Sequence, residues 1–142
     1  MSYASLNDLT DRCGETMLVE LSDRADPPTL EIDQGVVARA LQDADAAIDG
    51  YLAGRYALPL AATPALVRDL AIAIAVYKLH RESVSDKVRQ DYEDAIRTLG
   101  QISTGAVRLD VAGVEPAASG ATGVRTSDRA RDLTPENMKG YI

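Results

Sequence analysis

The stretch that most constrains this chain is Leu66 to Leu79, LVRDLAIAIAVYKL. From Leu70 to Tyr77 it holds no charge, no Gly and no Pro. Wound at about 100° per residue, its apolar side chains fall on every side rather than along one stripe, which is the pattern of a buried helix. A strand is the rival reading, because large and small side chains alternate from Leu70 to Val76. Against it stand the helix preference of Ala and the absence of a turn residue before Leu79. Thr63-Pro64 also has the form of an N-cap followed by proline at the first helical position. Arg68, Asp69, Lys78 and Arg81 leave only eight uncharged residues between Asp69 and Lys78, far short of the roughly 20 that a bilayer span needs. The fold expected is therefore all-α, a small helical bundle built around this helix, with no membrane partner.

The other helices can be placed around it. Ser5-Leu6-Asn7-Asp8 is a capping box with Asp in place of the usual Glu or Gln, opening a short helix from Ser5 to Cys13 that Gly14 can stop. A second short helix is expected from Glu15 to Leu21, then a loop from Ser22 to Glu31 around Pro27-Pro28. Asp33 can cap a long helix whose apolar positions Val37, Leu41, Ala44, Ile48, Tyr51 and Leu52 form one narrow stripe. The same winding puts Arg55 on that stripe. Either the helix unwinds at Gly54, or a guanidinium enters an interface and needs a partner there. Pro59 sets the limit of this element near Tyr56. After the central helix, Ser83 or Ser85 can cap a third long helix, with its stripe on Val88, Tyr92, Ala95, Ile96, Leu99 and Ile102 and its stop at Gly105. Val107, Leu109 and Val111 then alternate with Arg108 and Asp110 as in a short strand, one that would need another chain to pair with.

Three regions follow: a helical body over 1–111, a linker over 112–126 rich in Ala, Gly and Ser, and a C-terminal docking segment over 127–142. The linker has the composition of a flexible tether. Within the last segment Thr134-Pro135-Glu136 reads as a helix start, and Arg131, Leu133, Met138, Tyr141 and Ile142 are candidates for an interface, as are Arg55 and Tyr56 in the body. No rule of sequence separates docking on a partner from folding back onto the bundle. The net charge of −7 lies wholly in the body, which has 18 acidic and 11 basic residues against four of each in the rest. Non-specific binding to nucleic acid or to anionic membranes is disfavoured by that balance.

Motifs for chemistry are sparse. There is no Gly-rich phosphate loop, no GxSxG, no HExxH and no CxxC. His80 is the one histidine and suits a helix C-terminus; Cys13 is the one cysteine and suits a small, half-buried site. Asp45 and Asp49 stand one helical turn apart, with Asp69 on the next helix, so a metal-dependent enzyme using Asp45 and Asp49 is one reading. Salt-bridged acids at a bundle edge are the commoner use of such a pair, and no metal or other cofactor is assigned. A helix-turn-helix reader would need a helix rich in Arg, Lys, Asn or Gln with basic flanks, and none of the long helices has one. The amino terminus, MSYASLNDLTDR, lacks a basic segment followed by an apolar run, so synthesis in the cytoplasm is expected.

Several phrases taken together carry a resemblance: YASLNDLTDRCGE at Tyr3 to Glu15, LSDR at Leu21 to Arg24, DADAAIDGYLAGRYALPL at Asp43 to Leu60, the YKLHRE that closes the central helix, and DLTPENMKGY near the C-terminus. With these the chain resembles the Mu-like phage head–tail connector family, most specifically in IDGYLAGRYALPL and least through Ala112 to Thr126. Cys13 stands where an aromatic residue is more usual. The resemblance implies a structural, non-enzymatic subunit of the virion neck: a ring of identical subunits between the portal protein and a tail-side neck protein, with DNA passing through the lumen without sequence-specific binding. A helical binding or regulatory module that docks through its C-terminal tail is the second reading.

Overall fold

A computed structural model describes residues 1–111. They form five helices: α1 Leu6–Cys13, α2 Glu15–Ser22, α3 Gln34–Leu52, α4 Ala65–Leu79 and α5 Asp86–Thr104. The fold is all-α. The long helices α3, α4 and α5 pack against one another, and α1 and α2 close the bundle on one side, α1 against α3 and α4 and α2 against α3.

The centre is α4, as its all-round apolar sequence requires. Val67, Leu70, Ala71, Ile72, Ile74, Ala75, Val76 and Leu79 are buried, with Ala71, Ile74 and Ala75 wholly sealed from solvent. Ala at successive turns lets neighbouring helices approach closely, so contact area replaces the bulk of Trp and Phe, which the chain lacks. From α3 come Val37, Leu41, Ala44, Ile48 and Leu52, the expected stripe, with Val36 and Ala40 buried beside it. From α5 come Ala95, Leu99 and Ile102. Tyr77 of α4 and Tyr92 of α5 stack with ring centroids 4.0 Å apart and planes 12° from parallel, joining the two helices.

Helix ends follow local chemistry, and two expectations need correction. The Ser5–Asp8 capping box is present in both directions. Asp33 accepts from the N–H groups of Gly35 and Val36, and Gly105 ends α5 in the left-handed conformation at φ 82°. The first correction is at α4: Pro64, not Thr63, occupies the N-cap position, and no side chain caps this terminus. At α5 the cap is Ser85, one of the two serines expected there, which accepts from Val88 N–H. The second correction concerns 107–111. Among the described residues there is no strand, and this extended stretch is held from within the subunit: Val107 N–H donates to the Gln101 carbonyl at 3.1 Å and Leu109 N–H to the Tyr56 hydroxyl at 3.1 Å. With a side-chain oxygen taking its amide, the segment needs no partner strand there.

Candidate functional site

Three places in the body gather the residues singled out by sequence. The first is the acidic pair on α3. Asp45 and Asp49 lie one turn apart, and both are engaged by Tyr3: its backbone N–H donates to Asp45 Oδ1 at 3.0 Å and its hydroxyl to Asp49 Oδ1. Tyr3 is only 5 % exposed and belongs to the core. The pair therefore fastens the N-terminal segment across α3. Among the described residues no group of three or more His, Cys, Asp or Glu side chains is arranged to hold a metal ion, and Asp69 is exposed on α4.

Burial, the bond to Asp49 and the negative charge of Asp49 and then Asp45 all favour the neutral phenol, so the Tyr3 pKa is pushed well above the ordinary tyrosine value. A folded-state pKa raised in this way gives stability that is complete below the unfolded pKa, about pH 10, and is lost as pH rises beyond it. Tyr3→Phe is expected to lose about 1–3 kcal/mol at neutral pH. In denaturant titrations repeated at increasing pH, the advantage of the wild type over Tyr3→Phe should shrink once pH passes about 10.

The second place is the corner after α3. The helix stops at Leu52 rather than running to Tyr56, and Arg55 N–H and Tyr56 N–H both donate to the Leu52 carbonyl, at 2.9 and 2.8 Å. This turn takes Arg55 off the winding that would have put it on the apolar stripe. Its half-buried guanidinium instead rests against Gly105, so closely that a Cβ there would overlap it. Gly105 is thus required twice, by its positive φ and by its neighbour. The location also sets a cation at the C-terminal, negative end of the α5 dipole.

Tyr56 is 3 % exposed, and its hydroxyl accepts from Leu109 N–H. It serves the inside of the subunit and has almost no surface to offer another copy. Tyr56→Phe leaves that amide buried without an acceptor and is expected to cost about 1–3 kcal/mol. The amide hydrogen of Leu109 should then exchange faster, while those of α4 keep their protection relative to global stability.

The third place is an apolar groove of about 300 Å³ between α1, α2, α4 and the start of α5. Cys13, Met17, Ile72, Ala73, Val76 and Val88 line it. Arg12, Lys87 and Asp91 stand at its rim, with Lys87 and Asp91 paired at 2.8 Å. Burial pushes the Cys13 thiol pKa up, against a smaller opposing effect of Arg12, so the sulfur is a wall of the groove rather than an activated nucleophile. His80 caps the end of α4, with Nδ1 2.8 Å from the Val76 carbonyl.

Residues that sequence reasoning passed over also act here. Ser22 is fully buried; its hydroxyl donates to the Leu18 carbonyl at 2.6 Å and accepts from Asp33 N–H at 3.0 Å, tying α2 to the start of α3. Asp23 organises the following loop by accepting from Leu30 N–H at 2.8 Å and Ala25 N–H at 3.3 Å. Those bonds, Leu30's first, hold its carboxyl below the usual range. An Asx-turn at Asp23 before Pro27-Pro28 was the available signal. Arg131, Leu133, Met138, Tyr141 and Ile142, and the linker and docking regions to which they relate, lie outside the described residues.

Comparison with known proteins supplies what geometry does not. The sequence model of the family described as Bacteriophage Mu, Gp36 matches residues 3–127. The chain belongs to this family. Similar relatives are the Mu-like prophage FluMu protein gp36 of Haemophilus influenzae, 34 % identical over 116 residues that cover 82 % of each chain, and gene product J of Escherichia phage Mu, 35 % identical over 105 residues that cover 74 % of each. The Mu-like phage family expected from the phrases at Tyr3, Asp43 and the end of α4 is thus the family found. The Gp36 match takes in all five helices, Arg55, Tyr56 and the Tyr3 clamp, and stops before Arg131 and the apolar positions that follow it. Among the described residues of this Gp36-family chain, no helix is long and apolar enough to cross a membrane.

Proposed function

We propose that this chain is a structural subunit of the phage neck, one of a ring of identical copies that joins the capsid portal to the tail and lets DNA pass. The observation that carries the reading is membership of the Mu Gp36 family over residues 3–127, together with the resemblance of the chain's phrases to phage connectors. The body supports it physically. Its core is continuous, and Asp8 and Asp33 serve as helix caps, Asp23 as a turn organiser, and Asp45 and Asp49 as the Tyr3 clamp. A body with seven more acids than bases would repel DNA phosphate if that charge faces the lumen, so the duplex would slide rather than stick.

Quantitative mass spectrometry of purified particles tests the assignment by comparing the copy number of this chain with that of the portal protein. A ring subunit is expected at an equal or simple-multiple ratio. Absence from intact, DNA-filled particles would overturn the neck location.

A further inference from the structure

We infer that in the free subunit the segment 133–142 docks in the groove of its own body, placing Met138, Tyr141 and Ile142 against Cys13, Met17, Ile72 and Val76. Among the described residues, this groove is walled mainly by apolar side chains. Other clefts are lined largely by charge: Arg24, Arg39, Asp43 and Lys78 in the cleft between α3 and α4, and Asp8, Asp11, Arg68 and Asp69 in another beside α1. An opening of about 300 Å³ is large enough for an aromatic ring or a pair of aliphatic side chains. One of its walls is Met17, whose unbranched thioether adapts to the shape that enters.

The chain beyond Val111 supplies an occupant of matching chemistry. Thirty-one residues follow Val111, and their large apolar side chains are gathered at the end, on Leu133, Met138, Tyr141 and Ile142. Met138, Tyr141 and Ile142 are spaced three and one apart, a spacing that would place them on one face if wound as a helical turn, the arrangement by which a short helix enters a groove. Glu136 and Lys139 accompany them, an acid and a base suited to the exposed Arg12 and to Asp91 at the rim.

Reach is adequate. The groove lies at the first turns of α5, while residues 107–111 are held near its far end by Gln101 and Tyr56. The 19 residues of α5 separate the two by roughly 28 Å. A flexible tether as long as Val111 to Leu133 would have an r.m.s. span of about 26 Å. A tether whose span matches the gap gives an effective concentration on the order of millimolar, so the chain's own segment outcompetes that of a second copy at micromolar concentration. The inference does not depend on the neck reading, since it is tested on the isolated protein and that reading on particles.

Cys13, the single cysteine of the chain and a wall of the groove, reports occupancy directly. Its native-state reaction with a soluble aromatic disulfide is followed in the full chain, in a protein ending at Thr126, and in the full-length Met138→Asp/Tyr141→Asp/Ile142→Asp variant, each first shown to keep its helical circular dichroism. The expected result is a thiol that reacts about tenfold or more faster in both altered proteins than in the full chain, at rates unchanged by about a hundredfold dilution. Equal rates in all three proteins would overturn the inference. So would protection that dilution removes, which means a second copy covers the groove, or protection that survives the truncation, which means the cover is not this segment.

Discussion

Removal of Ser127–Ile142 is expected to leave the helical circular dichroism of the body intact and to abolish attachment to the portal or closure of the ring. The first half follows from the fold. The described core runs from Tyr3 to Leu109 and includes the fully buried Leu9, Leu18, Ile48, Leu52, Ile74, Leu79, Leu99 and Ile102, all from the five helices. The second half follows from the proposed neck role, in which bodies that touch over modest areas are joined by segments acting at high effective concentration. Complementation of a phage lacking the gene, with neck composition read from the resulting particles, checks it. A truncated protein that assembles like the wild type would remove the segment from the joining role.

Ile74→Ala in α4 is expected to lower stability by about 2–5 kcal/mol, with a fall of roughly 10–20 °C in melting temperature for a body of this size. Ile74 has no exposed surface and points into the layer where α4 meets its neighbours. Deleting its outer carbons removes their burial and leaves a void, since the helices on either side are spaced by Ala as well as by Ile and cannot close it without moving as units. Leu66, at the start of the same helix, is the internal control: it is 38 % exposed, and Leu66→Ala should cost under about 1 kcal/mol. Equal losses at the two positions, measured by denaturant unfolding, would contradict the placement of α4 at the centre.

The candidate sites differ in how far they could be read beforehand. Arg55 stands out because helical winding puts a guanidinium on an apolar stripe, and the structure answers by ending α3 at Leu52 and turning the side chain toward Gly105. The conflict was legible, but its resolution was not, since Gly105 lies fifty residues further on. Asp45 and Asp49 were legible as a pair on one helix edge. Their partner, Tyr3, is more than forty residues away and carries no local pattern that announces it. For the stretch 107–111, alternation suggested a strand, because period-two patterning is the same whether an extended segment is covered by a sheet or by one tyrosine hydroxyl.

Sequence by itself determined the helical class, the number and order of the helices, the central position of α4 and most of the helix ends. These depend on interactions within a few residues: an apolar run with no charged face, the Ser5–Asp8 box, Asp33 and Ser85 as N-caps, and Gly105 as a left-handed stop. Tertiary structure alone decided the clamp from Tyr3 to α3, the seat of Arg55 at the end of α5, the bond from Leu109 to Tyr56, and the groove walled by Cys13 and Met17. Each of these joins residues from different elements, so each depends on how the helices settle against one another; periodicity records which face of a helix is buried, but not which distant side chain meets it.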